Sequence, residues 1–149
     1  MNAIVDSKRR TTEREVIEIS IPSSVDLVVL ARFTAATVGA RAGFDLDEMD
    51  DLRLAVDELS ISFGPLDGET CLRFEFLRED DTVTVRCTRE PMARLSEVHG
   101  SVERDVINWE QARELSEQLL NELVDAHGQE VTNGRSASWL RKRHCTSPR

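Results

Sequence analysis

Asp50-Asp51-Leu52-Arg53-Leu54-Ala55-Val56-Asp57-Glu58-Leu59-Ser60-Ile61-Ser62 is the stretch on which the fold turns. Met49, Leu52, Val56, Leu59 and Phe63 recur at spacings of three, four, three and four, the single apolar stripe of an α-helix packed on one side. The acidic pair Asp57-Glu58 lies near the C-terminal end of that helix. Carboxylates there cost roughly a few tenths of a kcal/mol, because a helix C-terminus carries partial negative charge. On helix arithmetic alone both are solvated surface residues. The sharper alternative is that something other than helix stability places them.

Working outward, Phe44-Asp45-Leu46-Asp47 opens the helix, with Asp45 or Asp47 as N-cap. Glu48, Asp50 and Asp51 suit the positive end of the helix dipole. Gly64-Pro65 ends it near Phe63, and Asp67-Gly68 adds a turn. Upstream, Glu15 to Ile21 alternates, with Ile17, Ile19 and Ile21 on one face, and reads as a strand stopped by Pro22. Ser23 or Ser24 caps a helix running to about Ala42, with Leu27, Leu30, Ala31, Thr34, Val38 and Ala42 inward and Gly43 as its stop. Downstream, Thr70 to Arg78 presents Leu72, Phe74 and Phe76, and Thr82 to Thr88 presents Val83, Val85 and Cys87. Glu79-Asp80-Asp81 joins them as a hairpin.

Residues 89 to 108 are the least structured part, with few apolar positions, Pro91 and Gly100. A third helix begins at Asn108 or Trp109 and carries Trp109, Ala112, Leu115, Leu119, Leu123 and Ala126 on one side, closed by Gly128. Gln129 to Thr132, Asn133-Gly134 and Ser136 to Arg141 form a closing hairpin, since Asn-Gly favours the positive φ angles of a type I′ turn. Residues 1–14 are a flexible lead-in, 15–142 a single domain and 143–149 a basic tail that frays. The order β-α-α-β-β-loop-α-β-β predicts an α+β fold, a two-layer sandwich with helices segregated from a mostly antiparallel sheet.

The chain has 149 residues, 40% hydrophobic and 32% charged, with a formal net charge of −9. That size supports one continuous core. The acidic balance argues against nucleic-acid binding, which needs a positive footprint, and suits a basic protein partner. No apolar run approaches the roughly 20 residues of a membrane helix, and the N-terminus has no signal-peptide stretch, so the chain is expected to stay in the cytoplasm with no membrane partner. Cys71, Cys87 and Cys145 are odd in number and lack CxxC spacing, so free thiols are the default. His99, His127 and His144 are dispersed, and no metal site is expected. Trp109 and Trp139 read as core or rim packing.

The run Asp50 to Glu58 resembles the N-box helix of the RsbW/SpoIIAB group of anti-sigma factors, serine-protein kinases with the Bergerat (GHKL, histidine-kinase-like ATPase) fold. The preceding helix, the acidic helix start and the closing helix Leu119-Leu120-Asn121-Glu122-Leu123-Val124-Asp125 with its hairpin are similar too. The resemblance takes in residues 15 to 142 and implies about three helices on one face of the sheet. It assigns the catalytic base to Glu58 and puts Ser62 where the family has the asparagine that holds magnesium on the ATP phosphates. Two departures follow. Where the family has Asp-x-Gly-x-Gly, this chain has Cys87-Thr88-Arg89-Glu90-Pro91-Met92-Ala93. The second glycine-rich box is reduced to Gly100, and phosphate cradles need the bare backbone that glycine permits.

The resemblance therefore implies an anti-sigma-like, partner-switching regulator, a pseudokinase that binds a sigma factor with ATP and Mg use weakened or lost. Its sigma-binding surface would involve Arg32, Arg41, Asp45, Asp47 and Asp51 around the first helix. The alternatives are an active serine kinase acting on a STAS-type anti-anti-sigma protein, and a dimerisation module. A homodimer through the sheet would use the outer-face residues Val16, Cys71 and Leu77.

Overall fold

A computed structural model describes residues 12–92 and 109–146, and the elements follow in the expected order. They are β1 (Arg14–Pro22), α1 (Val25–Arg41), α2 (Leu46–Ile61), β2 (Thr70–Glu79), β3 (Thr82–Pro91), α3 (Trp109–Leu123), β4 (Ala126–Thr132) and β5 (Arg135–Arg143). The five strands make one sheet in the order β1-β2-β3-β5-β4, every neighbouring pair antiparallel. With three helices beside it, this is an α+β sandwich consistent with a GHKL-type fold.

The stripe of α2 packs as its spacing predicts. Leu52, Val56 and Leu59 are buried, with Met49 and Phe63 half-buried at the ends. They meet Ala31, Ala35 and Val38 of α1 and Phe74, Phe76, Val83, Val85 and Leu140 of the sheet. At Gly39 the helices come so close that an added Cβ would lie 3.1 Å from Phe44 and 3.5 Å from Leu52. Of the two candidate caps, Asp45 takes the role: its carboxylate accepts from Glu48 N–H at 2.8 Å, and Glu48 accepts from Asp45 N–H at 2.9 Å. This reciprocal box satisfies two otherwise orphaned donors. Ser24 occupies the N-cap of α1 without a side-chain capping bond.

Both hairpins turn on left-handed residues. Asp80 has φ 52°, and Asn133 and Gly134 have φ 53° and 74°, the pair that a type I′ turn requires. Glu79 pairs with Thr82, so the first turn is the two residues Asp80-Asp81.

Several expectations are corrected. Leu30 of α1 is 48% exposed, and Val28 and Ala35 take the inner positions. Among the described side chains of α3 the buried ones are Ser116 and Leu120, whereas Leu115 and Leu119 face outward at 61% and 44% exposure. The leucine stripe 115-119-123 competes with the stripe 116-120-123, and contact with α2 and β4 selects the second. Ala126 and Gly128 belong to β4, not to the helix or its stop. β3 extends to Pro91, three residues beyond the expected end. The described start of the tail, to residue 146, is tied down where fraying was expected: β5 reaches Arg143, and His144 N–H donates to Asp81 C=O at 2.8 Å. The remainder of the segment 89–108, with His99 and Gly100, lies outside the described residues, as does the start of the lead-in.

At the far end of the sheet Arg78, 5% exposed, lies between Glu13 and Glu15, and Arg41 also binds Glu15. The Arg41 guanidinium, with Arg78 beside it, holds the Glu15 carboxyl down at about 2. A carboxyl depressed in the folded state stabilises above its unfolded value, and the contribution fades as pH falls through the folded one. NMR titration of the Glu15 carboxyl carbon is expected to show a midpoint near 2; a midpoint in the ordinary range would show the cluster to be open.

Candidate functional site

The C-terminal end of α2, one side of α3 and the β4–β5 hairpin enclose a cavity of about 350 Å³. Leu59 and Ile61 of α2 and Ala112 and Leu120 of α3 give it apolar walls, and Ser62, Ser116 and Ser138 supply hydroxyls. At the rim stand Arg113, Glu117, His127 and Gln129. A concave site of this size with apolar walls and a few polar groups is the usual form of a small-molecule pocket.

Ser62 is therefore placed in the cavity, as the C-cap of α2. Its Oγ donates to Leu59 C=O at 2.7 Å and lies 2.8 Å from Ser138 Oγ, 76 residues away. Glu58 is half-buried on the same helix but is not part of the cavity lining. Its neighbour Asp57 turns toward α1 and pairs with Arg32 at 3.1 Å. Partial burial pushes the Asp57 carboxyl above its ordinary value against the pull of Arg32, and the nearby Glu58 charge adds to the rise.

The residues named for partner binding divide between internal and exposed roles. Arg32 spans α1 and α2 through Asp57, Arg41 is bound to Glu15, and Asp45 caps α2. Asp51 lies 3.7 Å from Lys142, whose Nζ also donates to Leu123 C=O at the end of α3. Asp47 stands exposed in the first turn of α2.

Two residues that matter here carried no local signal. The first is Arg89, within the stretch Cys87–Ala93 that the resemblance sets against an aspartate and glycine box. The strand does not open there: Arg89, Glu90 and Pro91 continue to pair with Leu72, Cys71 and Thr70. The guanidinium donates to Phe63 C=O at 3.0 Å, Pro65 C=O at 2.7 Å and Thr70 Oγ1 at 2.6 Å, and lies 3.3 Å from Asp67. It stitches the end of α2 to the sheet. Arg89→Ala is expected to lower stability by about 1–2 kcal/mol, because two carbonyls, a hydroxyl and a half-buried carboxylate lose a charged donor. Arg89→Lys is expected to recover only part, lacking the planar fork. Urea unfolding checks both.

The second is Glu48, 8% exposed. Besides Asp45 N–H, its carboxylate accepts from Cys145 N–H at 2.7 Å and from His144 Nδ1 at 2.7 Å. Burial works against its charged form, but the Cys145, His144 and Asp45 donors outweigh that and hold the carboxyl below its usual range. One carboxylate thereby clasps the end of β5 to the start of α2.

The sheet's outer face is laced with ion pairs: Arg73–Glu18 at 2.8 Å, Arg86–Glu130 at 2.9 Å and Arg135–Glu90 at 3.1 Å. Val16, Cys71 and Leu77 are set among these charges, and Trp139 lies over Gly128, whose added Cβ would meet the indole at 3.2 Å. Cys71 and Cys87 are free thiols, and burial pushes the Cys87 thiol well up. Among the described residues, no helix is long and apolar enough to cross a membrane.

No family model matches the chain. Over 44 residues it is 41% identical to the serine-protein kinase RsbW of Bacillus mycoides (strain KBAB4). The matched stretch takes in 30% of this chain and spans only 28% of that kinase's length. The likeness is thus one of a segment, set within a sandwich of the expected class.

Proposed function

We propose that this protein is an anti-sigma-factor-like regulator of a partner-switching system, binding a sigma factor while its nucleotide binding is weakened or lost. The observation that carries the reading is the 41% identity of a segment to an RsbW serine-protein kinase, in a chain whose sandwich is compatible with that kinase type. A STAS-type anti-anti-sigma protein is then the antagonist. The net charge of −9 favours basic surfaces on the sigma partner.

Weakened nucleotide use is supported by the residues present, which do not fit a magnesium-bound triphosphate. Ser62 has already given its proton to Leu59 C=O, and a hydroxyl reaches less far than a carboxamide. Arg89 stays in the paired strand and reaches across to Phe63 and Pro65, where a glycine box would leave the backbone bare. Within the described part of the cavity the charged groups are Arg113 and Glu117, one cation and one anion at the rim.

Size-exclusion chromatography with light scattering, run against each alternative sigma factor of the host, is expected to give a complex with one of them at micromolar concentration. Absence of a complex with all of them would overturn the reading. The kinase alternative draws on the relative's own name, and thermal unfolding with ATP and Mg²⁺ separates the two. A ligand at 100 times its dissociation constant stabilises by about 2.7 kcal/mol; no shift is expected at millimolar ATP, and a clear one would favour the kinase.

A further inference from the structure

Leu54 of α2 and Leu115 and Leu119 of α3 leave large apolar side chains in solvent, 54%, 61% and 44% exposed. The two helices run antiparallel. Asp51, near the start of α2, lies 3.7 Å from Lys142 Nζ, which donates to Leu123 C=O at the end of α3. Ile61 and Ser62, at the other end of α2, share the cavity wall with Ala112 and Ser116 near the start of α3. Leu54 and Leu119 therefore stand on the middle stretches of both helices, where these lie side by side.

Helix arithmetic turns the three leucines toward the groove between the helices. Leu54 comes three residues after Asp51 and four before Glu58, so the three share one face of α2. Asp51 marks that face as the α3 side, whereas Asp57 turns to Arg32 of α1. On α3, Asn121 Oδ1 bonds His127 Nε2 at 2.7 Å, which marks the shoulder next to β4. Residues two apart on a helix lie about 200° apart. Leu119, with Leu115 one turn before it, thus takes the opposite shoulder, toward α2.

The charge around this groove has one sign. α2 and α3 together carry ten acidic residues and two arginines. Arg53 is held by Asp50 at 2.5 Å, and Arg113 stands at the cavity rim. Asp47, Glu58, Glu114 and Glu122 have no cationic partner among the described residues. A second copy of the chain would set these carboxylates against their own kind, and like charges facing across an interface oppose association. A helix whose apolar stripe is bordered by lysine and arginine meets both the leucines and the acids.

We infer that the outer groove between α2 and α3 is a docking surface for a basic amphipathic helix of a partner protein. Leu54, Leu115 and Leu119 take its apolar stripe, and Glu58 and Glu122 pair with its cations. This goes beyond the partner-switching reading and does not rest on it. No sigma factor enters its test, so either can fail alone.

The test is titration of the ¹⁵N-labelled full chain with two peptides of about 18 residues, five turns of helix. Both contain the same leucines, alanines and lysines. One places leucine at helical i, i+3, i+4, i+7 spacing, and the other has the order shuffled. The amphipathic peptide is expected to move the amides of Leu54, Glu58, Leu115, Leu119 and Glu122, with a dissociation constant on the order of 10–100 μM. The shuffled peptide should bind at least about tenfold more weakly. Leu54→Ala and Leu115→Ala should each weaken the first peptide by about three- to tenfold with the melting temperature kept. Glu58→Gln combined with Glu122→Gln should flatten its salt dependence. Val131→Ala, at an exposed position on β4, should leave binding unchanged. Equal binding of both peptides, shifts centred elsewhere or indifference to the leucine substitutions would overturn the proposal. So would a homodimer in light scattering that Leu115→Ala dissolves, which would give the groove to a second copy.

Discussion

Glu48→Gln is expected to lower stability at pH 7 by about 3 kcal/mol, the cost of leaving buried donors facing the wrong group. The side chain keeps its shape, so packing is preserved. The three donors from Asp45, His144 and Cys145 then face an amide with one acceptor and a donor of its own. For a chain of this length the loss corresponds to a fall in melting temperature of about 6–12 °C. Acid should reveal the cause. The folded carboxyl lies below its ordinary value of 4.5, so its stabilisation is complete above that value and is lost as pH falls through the lower, folded one. Urea unfolding of both proteins should show a constant gap between pH 7 and about 5 that closes on further acidification. A gap of the same size in strong acid would mean that the carboxylate is not the stabilising species.

Leu52→Ala is expected to cost about 3–4 kcal/mol. Leu52 is 0% exposed and stands where α2 crosses Gly39 of α1 above the sheet, a place with little room to collapse around a cavity. Leu54→Ala, two residues on and 54% exposed, should change stability by no more than about 0.5 kcal/mol. The contrast tests the phase of the helix as well as its burial. Similar costs at both positions, read by urea unfolding, would mean that the stripe is misassigned.

What could be read without coordinates was what depends on neighbours in sequence. The stripe of α2, its Asp45 cap and the Asn133-Gly134 turn are local, and each was visible as a spacing or a residue type. α3 shows where locality fails. Leu119 and Leu120 are adjacent, two stripes one step apart satisfy the same periodicity, and only packing against α2 and β4 decides between them. Counting apolar positions favoured the outward stripe because the inward one contains Ser116. The candidate site was half visible. Resemblance pointed to Ser62, but its bond to Ser138 joins residues 76 apart. Arg89 and Glu48 looked like ordinary charges because their partners lie 19 to 26 and 96 to 97 positions away. A charged side chain is assigned to solvent by default, and only the fold reveals those it has enclosed.

The strand order carries a consequence for how the protein is made. β5 lies between β3 and β4, and among the described residues β4 pairs with no other strand. A growing chain that has left the ribosome only as far as Thr132 has its edge strand but nothing to hold it. Until the ribosome has delivered Arg135–Arg143, the β1-β2-β3 meander ends in an open edge at β3, and the wall that carries Ser138 does not exist. The sheet closes last at its middle, and the residues that close it also bring the clasp on Glu48.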